Sequence, residues 1–200
     1  YPLLPYAKCD YYKELTKGYE EASGHHITAT TYYGTRHATA NKALEKCADM
    51  NGLKIRVPDV PAYLAMPRAC GANTAPIAFA EVYLALQNGT VDAQENPLPT
   101  IEAKKFFEVQ KNIILTGHIA DSLLTIVSGQ LMSKLSPAEQ KILVEVTQEA
   151  AEKATNDIKK REGELVDEFK KKGINVVNVD RDAFQKQVLR TITFESMQLD

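Results

Sequence analysis

The chain has 200 residues, of which 44% are hydrophobic and 25% are charged, with a formal net charge of -2. This length and composition allow a substantial buried core in one domain or two small lobes, and no window approaches the roughly 18 consecutive apolar residues of a membrane helix. The 24 basic residues are interspersed with 26 acidic ones, which excludes a nucleic-acid-binding footprint and a polybasic membrane patch.

Helices and strands are predicted to alternate along the chain. Apolar residues spaced by three or four predict helices at residues 8–22, 62–69, 79–88, 100–112 and 181–193. Runs rich in Thr, Tyr and β-branched residues predict strands at residues 27–33, 53–57, 112–116, 123–127 and 174–179. The first strand should close at Gly34. Short, apolar strands between helices indicate an α/β fold with a largely parallel sheet covered on both faces.

A much longer helix is predicted over residues 136–172. Ser136 stands at the N-cap position with Pro137 after it, Glu139 completes a capping box, and Gly173 lies just past the end. At about 1.5 Å per residue this helix would be roughly 55 Å long, more than the width of one small lobe. It should therefore bridge two bodies or bend, and Gly163 is the expected position of a bend.

Two arginines lie at or near predicted strand ends. Arg36 follows the first strand, and Arg56 lies within an apolar strand. A buried guanidinium needs an anion, and its planar fork fits a carboxylate or a sulfonate through two hydrogen bonds. Two simpler alternatives stay open for Arg56: an internal ion pair with Asp59 or Glu81, or a side chain that points to solvent.

Residues 92–97 form a polar cluster, Asp-Ala-Gln-Glu-Asn-Pro, that ends in proline. From local sequence alone, a turn or a cap is the expected structure. Asn96 offers both a hydrogen-bond donor and an acceptor, as a hydroxylated anion requires. Phe79 would, on helical spacing alone, be a core residue.

Longer blocks of sequence carry a family resemblance. They are Gly-Leu-Lys-Ile-Arg-Val-Pro at 52–58, Gly-Ala-Asn-Thr-Ala-Pro-Ile-Ala-Phe-Ala-Glu-Val-Tyr at 71–83, Val-Asp-Ala-Gln-Glu-Asn-Pro at 91–97 and Phe-Glu-Val-Gln-Lys at 107–111. In this order the chain, from about residue 28 to its end, resembles the substrate-binding subunit of TRAP transporters, the DctP family. The resemblance implies a two-lobed periplasmic-binding-protein fold, similar to type II, with a long lobe-bridging helix and an incomplete first lobe.

The resemblance also implies a function and a site. Such a protein is periplasmic and has no enzymatic activity; as a monomer it captures a small organic acid and delivers it to the TRAP membrane subunits. The family arginine that pairs with the ligand carboxylate falls on Arg56. Arg36 and Asn96 fall on further pocket positions, and Phe79 falls on an aromatic wall of the pocket. A dicarboxylate, a sugar acid, a keto acid and a sulfonate all remain open as ligands.

One position departs from the family pattern, and a second has an alternative structural role. Asp59 stands where sialic-acid-binding relatives carry asparagine, and a carboxylate near the ligand would repel additional negative charge, which argues against sialic acid. His118 lies in a Gly-His-Ile segment that resembles a family segment near the cleft, but a core histidine is an equal alternative.

The resemblance implies a division into lobes. Residues 1–33 should belong to lobe 1 and residues 34–121 to lobe 2, with residues 122–161 crossing to lobe 1 and residues 162–200 returning to lobe 2. Family members have roughly another N-terminal third. The first residues lack the charged start and long apolar run of a signal peptide, so either a signal peptide was removed or the fragment begins later.

The three cysteines are too few and too scattered for a zinc site, and no metal or cofactor is expected. In the predicted fold, Cys70 returns close to the beginning of the strand at residues 53–57, shortly after Cys47. In an oxidising periplasm these two residues could form a disulfide, and Cys9 would stay unpaired.

Two other function classes are weaker. An α/β enzyme acting on a small carboxylate would use Asp92 and Glu95 as acid and base, or His118 as a general base. No nucleophile elbow, phosphate loop, His-Glu-x-x-His helix or dinucleotide fingerprint supports it. The second class is a dimerisation protein built on the long helix. The charged residues 159–162 argue against it, because they are typical of a solvated helix face.

Overall fold

The structure, a computed structural model, describes residues 9–192. Its α-helices are α1 (Asp10–Ser23), α2 (Pro61–Ala69), α3 (Val82–Gln87), α4 (Leu98–Ala103), α5 (Phe106–Val109), α6 (Gly129–Met132), α7 (Pro137–Lys171) and α8 (Arg181–Thr191), with short 3-10 helices at Cys47–Met50 and Phe79–Glu81. None of these helices has the length and apolar character needed to cross a membrane. The first residues, the predicted start of the first helix at Lys8 and the predicted end of the last at Thr193 lie outside the described residues.

Six strands alternate with these helices: β1 (His26–Ala40), β2 (Lys54–Val57), β3 (Asn73–Pro76), β4 (Ala93–Pro97), β5 (Asn112–Val127) and β6 (Asn175–Val177). Within the described residues they form one sheet in the order β3-β2-β4-β1-β5-β6. β2 runs parallel to β3 and β4, and β5 runs parallel to β6, whereas β1 and β4 are antiparallel. The α/β class is therefore confirmed, and the sheet is mixed, with parallel pairs at both of its edges.

The prediction that the first strand closes at Gly34 is wrong. β1 continues to Ala40, and Gly34 adopts a φ of 128° within it. The continuation is stable because residues 36–40 pair with β4, and Ala38 and Thr39 are fully buried. Arg36 consequently lies inside a strand rather than after one.

The polar segment at residues 92–97 is also not a turn. It forms β4, which is buried along its whole length and pairs with β1 on one side and β2 on the other. The two predicted strands at 112–116 and 123–127 belong to the single strand β5, which passes Gly117 at a φ of 56°. A glycine tolerates this positive φ, so the strand does not end there.

The predicted helix at residues 100–112 is divided into α4 and α5. Lys105 lies between them with a φ of 56°, a left-handed conformation that ends α4. The long helix agrees with the prediction: the backbone N–H of Ser136 donates to Glu139 Oε2 at 2.8 Å, and the backbone N–H of Glu139 donates to Ser136 Oγ at 3.4 Å. α7 continues without interruption through Gly163, and a bend there stays a prediction.

The chain forms two compact units. Unit 1 comprises Tyr1–Gly34 and Ala120–Arg161, and unit 2 comprises Thr35–Ile119 and Glu162–Asp200. Unit 1 exposes many large apolar side chains: Tyr11, Leu15, Tyr19, Leu123, Leu124, Ile126, Leu131, Ile142 and Val146. Exposed apolar surface of this extent is typical of a surface that contacts further protein. It agrees with the expectation of an incomplete first lobe.

Unit 2 packs an apolar cluster against each face of its sheet. One cluster combines Ala38, Ile55 and Ala93 of the sheet with Phe184 of α8. A second cluster combines Ile113 of β5 with side chains from the helices, which are Val82, Leu98, Phe106, Leu165 and Phe169. Because neighbouring strand residues face opposite sides, Ile113 and Ile114 enter different clusters. This packing fixes the strands that carry the polar residues of the candidate site.

A disulfide joins Cys47, at the start of the first 3-10 helix, to Cys70, which caps α2. Both residues are buried, at 8% and 5% exposure. Cys9 is a free thiol that caps α1, where its Sγ accepts a hydrogen bond from the Tyr12 backbone N–H. The bond therefore fixes the segment that leads into β2, the strand of Arg56.

We expect the disulfide to contribute strongly to the stability of unit 2. Replacing both Cys47 and Cys70 by serine should lower the free energy of unfolding by roughly 3 kcal/mol, because the bond closes a loop with a sequence separation of 23 residues. Urea unfolding of the variant and the wild type gives the difference. Reduction should raise the intact mass by two hydrogen atoms. Equal unfolding midpoints, or an unchanged mass, would rule out this role.

Candidate functional site

A buried ion pair between Arg36 and Glu95 lies where β1 meets β4. The strand register places Arg36 opposite Pro97 and Ala38 opposite Glu95, so both charged side chains leave the same face of the sheet. Arg36 Nε lies 2.5 Å from Glu95 Oε2, and Arg36 Nη2 lies 2.8 Å from Glu95 Oε1. The guanidinium also lies 4.6 Å over the ring of Tyr63. A principal contact of Arg36 is therefore a carboxylate of the protein itself.

His118 joins this ion pair. Its Nε2 lies 3.2 Å from Glu95 Oε2, and its Nδ1 lies 2.7 Å from the hydroxyl of Thr116. Burial raises the pKa of the Glu95 carboxyl, but hydrogen bonds from His118 and Arg36 and the charge of the guanidinium outweigh this effect and hold the pKa below its ordinary value of 4.5. Glu95 is therefore ionised in the folded protein. From sequence, Glu95 was a candidate only for an enzymatic acid or base, and its position at the centre of this cluster was not predicted.

Arg56 lies near the carboxyl end of β2, which pairs with a strand on each side. Its Cα is in register with Ala75 of β3 and with Gln94 of β4. The residue is 4% exposed, so the alternative in which the side chain points to solvent is wrong. Its Nε donates to the backbone carbonyl of Ile77 at 2.8 Å. The fold thus holds a cation inside unit 2 and orients its guanidinium through a neutral acceptor.

Phe79 stands beside Arg56 and is 38% exposed. The Arg56 Cζ atom lies 5.9 Å from the centroid of the Phe79 ring, and Lys104 Nζ lies 5.2 Å from the same centroid. Phe106 meets the ring edge-on at 6.3 Å between centroids. The Phe79 ring therefore contacts both Phe106, a member of the second apolar cluster, and two cations. Lys104 was missed by the sequence analysis, because its spacing from Arg56 carries no signal.

Asn96 lies on the opposite face of β4 from Glu95 and is 2% exposed. Its Oδ1 accepts a hydrogen bond from Arg36 Nη2 at 3.3 Å, and its Nδ2 donates to Gln94 Oε1 at 2.7 Å. The structure therefore brings Asn96 and Arg36 together, as the resemblance implies for two pocket residues. The role of each in ligand binding stays a prediction.

The remaining acidic candidates have surface or structural positions. Asp59 is exposed in the segment between β2 and α2. The carboxylate of Asp92 accepts hydrogen bonds from the Lys54 backbone N–H at 3.0 Å and from the Asn41 side chain at 3.3 Å. Asp92 thereby joins the start of β2 to the end of β1. Because Glu95 is held as a carboxylate by Arg36, these contacts do not favour an acid and base pair of Asp92 and Glu95.

His37 is a neutral buried histidine beside this cluster. Its Nδ1 accepts the backbone N–H of Gly117 at 3.1 Å. Gly117 has a φ of 56°, and a Cβ there would lie 2.7 Å from Arg181 Cζ, so any other residue would strain the backbone and displace the end of the Arg181 side chain. Burial lowers the pKa of His37 from 6.5 to about 3, with repulsion from His118 and Arg181 contributing less.

We expect His37 to make the protein sensitive to mild acid. Its pKa is lower in the folded state than in the unfolded state, so the unfolded protein binds the extra proton between pH 6.5 and about 3. The free energy of unfolding should therefore fall by up to about 1.4 kcal/mol per pH unit as the pH drops below 6.5. His37→Asn keeps an acceptor for Gly117 and removes the titration. Urea unfolding from pH 7 to pH 5 should show a flatter profile for this variant, and parallel profiles would contradict the assignment.

A cavity of about 920 Å³ opens in unit 1. Among its lining residues are Tyr12 and Thr16 of α1, Thr28 of β1, and Glu149 and Asn156 of α7. None of the site residues predicted from sequence lines it. Within residues 9–192 no group of three or more His, Cys, Asp or Glu side chains is arranged to hold a metal ion.

The chain resembles known solute-binding proteins in sequence. Over 157 residues it is 43% identical to the sialic acid-binding periplasmic protein SiaP of Vibrio cholerae, which covers 78% of this chain and 49% of that protein. Over 166 residues it is 37% identical to the 2,3-diketo-L-gulonate-binding periplasmic protein YiaO of Escherichia coli, covering 82% of this chain and 51% of that protein. The chain spans about half the length of these curated relatives.

Solved structures show the same similarity in three dimensions. A TRAP periplasmic solute-binding protein from Actinobacillus succinogenes with bound L-galactonate has a TM-score of 0.88 and 31% identity, covering 96% of this chain and 63% of that one. One from Roseobacter denitrificans with bound 3-deoxy-D-manno-oct-2-ulosonic acid has a TM-score of 0.87 and 32% identity, covering 92% of this chain and 62% of that one. Residues 6–196 match the family model "Bacterial extracellular solute-binding protein, family 7", and this chain belongs to that family, DctP.

Proposed function

We propose that this chain captures a small organic acid by pairing the ligand carboxylate with the guanidinium of Arg56. The observation that carries the proposal is the position of Arg56: it is 4% exposed, near the carboxyl end of a strand that pairs on both sides, and its Nε is oriented by a backbone carbonyl. In parallel sheets, ligands bind where the carboxyl ends of the strands open. A guanidinium held in this way is pre-organised for an anion.

Phe79 and Asn96 complete the proposed site within unit 2. Phe79 supplies a partly exposed apolar face next to Arg56, which suits the carbon skeleton of a ligand. Asn96 supplies an amide that suits a hydroxyl or carboxylate oxygen. Arg36, in contrast, is bound to Glu95 and Asn96, so we assign to it the support of Asn96 in addition to the ligand contact implied by the resemblance.

A sugar acid is the ligand class that we favour. The names of the two curated relatives specify sialic acid and 2,3-diketo-L-gulonate, and the two solved structures hold L-galactonate and 3-deoxy-D-manno-oct-2-ulosonic acid. Each of these compounds combines one carboxylate with several hydroxyl groups. One arginine for the carboxylate and one amide for hydroxyl groups fit this chemistry. The alternative is a dicarboxylate, and the experiment below distinguishes it from a sugar acid.

A thermal-shift screen tests the ligand class. L-galactonate, sialic acid and succinate, with the neutral polyol galactitol as control, are each added to the wild-type protein. An acid present at 100 times its Kd should stabilise the folded state by about 2.7 kcal/mol, or roughly 5–10 °C in Tm, whereas galactitol should have no effect. Stabilisation by succinate alone would show that the ligand is a dicarboxylate and not a sugar acid. Equal stabilisation by the neutral polyol would contradict the carboxylate pairing.

We further propose that the whole protein works outside the cytoplasm, as a monomer that presents its ligand to TRAP membrane subunits. The support is family membership and the naming of the relatives as periplasmic. The Cys47–Cys70 disulfide agrees with an oxidising compartment. Light scattering of the purified protein with and without ligand gives the molar mass and tests whether the protein is a monomer.

A further inference from the structure

A chain of buried hydrogen bonds crosses unit 2 from a guanidinium to a backbone carbonyl. Its members, which we call the amide chain, are Arg36, Asn96, Gln94, Thr39, Gln110 and the carbonyl of Val109. The four side chains between the two ends are 0% to 2% exposed. Polar groups so deeply buried must be satisfied by one another, because water does not reach them.

Each link of the amide chain donates in the same direction. Asn96 Nδ2 donates to Gln94 Oε1 at 2.7 Å, and Gln94 Nε2 donates to Thr39 Oγ1 at 3.0 Å. The Thr39 hydroxyl donates to Gln110 Oε1 at 3.1 Å, and Gln110 Nε2 donates to the Val109 carbonyl at 3.3 Å. At the start of the amide chain, Arg36 Nη2 donates to Asn96 Oδ1 at 3.3 Å.

The two ends fix this direction. A guanidinium can only donate hydrogen bonds, and a backbone carbonyl can only accept them. If the Asn96 amide were turned over, its oxygen would face the oxygen of Gln94 and its NH₂ group would face the cation of Arg36. Either contact leaves a buried polar group unsatisfied, which costs more than the hydrogen bond contributes. The amide of Asn96 is therefore held in one orientation.

Three members of the amide chain, Thr39, Gln94 and Asn96, lie on the sheet face of the proposed ligand site. Gln94 is in register with Arg56 on the neighbouring parallel strand and with Thr39 on the neighbouring antiparallel strand, so the three side chains leave the same face. Asn96 follows Gln94 by two residues and shares that face. The amide chain thus contains Asn96, the residue that we assign to the ligand, and passes the strand position next to Arg56.

We infer that Thr39, Gln94 and Gln110 are positioning residues for ligand binding: they fix the orientation of the Asn96 amide, so that Nδ2 keeps its second hydrogen for a ligand oxygen. None of the three contacts the ligand in this scheme. The inference rests on the proposed function for its effect on affinity, whereas the orientation of Asn96 does not depend on that function.

Thr39 is the link at which the amide chain can be cut with little change of shape. Thr39→Val removes the hydroxyl and should weaken binding of L-galactonate by about tenfold in calorimetry, because the Asn96 amide is no longer held. Thr39→Ser restores the hydroxyl and should bring the Kd back to within about twofold of the wild type. In parallel, NMR follows hydrogen exchange of the Asn96 side-chain NH₂ group, assigned by its loss in Asn96→Asp; it should be faster in Thr39→Val and normal in Thr39→Ser.

Asn112→Ala is the matched control for a purely structural effect. Asn112 is a buried amide of the same sheet, bound to the Ala40 carbonyl and to Asn175, and it is outside the amide chain. This variant should lose stability without a change in Kd or in Asn96 exchange. Unchanged Asn96 exchange in Thr39→Val, failure of Thr39→Ser to restore the wild-type values, or equal loss of affinity in Asn112→Ala would overturn the inference. If L-galactonate does not bind the wild type, the proposed function fails for this ligand, and the exchange measurement alone decides on the amide chain.

Discussion

Arg56→Ala is expected to weaken the binding of an organic acid by about 2–5 kcal/mol, or roughly 30- to 5,000-fold in Kd. Truncating one partner of a buried, hydrogen-bonded charge pair removes the attraction and leaves the other charge buried beside neutral groups. Arg56→Lys keeps the charge but loses the planar fork, so it should recover only part of the affinity. Calorimetric titration of L-galactonate into each variant measures both effects.

Arg68→Ala provides the control for this experiment. Arg68 also belongs to unit 2, but it is exposed on α2, with its Nε 3.4 Å from the Thr74 hydroxyl. Its removal should change Kd by less than about twofold, because exposed charges act weakly through water. A Kd for Arg56→Ala that equals that of Arg68→Ala would show that Arg56 does not bind the carboxylate.

Glu95→Gln should be the most destabilising of these substitutions. The carboxylate accepts hydrogen bonds from Arg36 and His118 while it is 0% exposed, so its neutralisation leaves the buried guanidinium with a weaker acceptor. Breaking a buried ion pair on one side costs about 3–5 kcal/mol. The midpoint and slope of urea unfolding give the loss directly.

Two further variants test whether the loss of stability in Glu95→Gln comes from the uncompensated charge of Arg36. The double replacement Arg36→Met with Glu95→Leu should be less destabilising than Glu95→Gln alone, because neither charge of the Arg36–Glu95 pair is then left without its partner. Glu145→Gln removes an exposed carboxylate paired with Lys141 and should cost less than about 1 kcal/mol. A double variant that is less stable than Glu95→Gln would contradict the uncompensated-charge argument.

The Glu95 carboxylate also gives the protein a second acid sensitivity. Its pKa is lower in the folded state than its ordinary value of 4.5, so its contribution to stability is present above pH 4.5 and is lost as the pH falls below it. The His37 effect begins higher, near pH 6.5. An unfolding profile with two successive losses of stability separates the two groups, and Glu95→Gln should remove only the lower one.

Elements with strong local signals were predictable from the sequence. The capping box at Ser136, the proline after it and the glycine beyond the last turn define α7 almost to the residue. The strand around Arg56 and the helix that follows it were also predictable, because apolar runs and helix stops are local features. The same two elements bring Cys70 back towards Cys47, and the disulfide between them is present in the structure.

Elements that depend on distant partners were not predictable. β4 has a sequence typical of a turn, and it forms a strand because Thr39, Arg36 and His118, all distant in sequence, satisfy its polar side chains. Local propensity cannot report such cross-strand partners. For the same reason the sequence showed Arg36 as a cation in need of an anion, but not that Glu95 supplies one.

The most direct test of the account is a double-mutant cycle between the protein and its ligand. Calorimetry compares the binding of L-galactonate and of its uncharged amide, L-galactonamide, to the wild type and to Arg56→Ala. If the guanidinium of Arg56 holds the ligand carboxylate, the two changes are not additive, and the coupling energy should be at least about 1.5 kcal/mol. A coupling energy near zero, with the acid still preferred by Arg56→Ala as strongly as by the wild type, would show that the carboxylate is bound elsewhere.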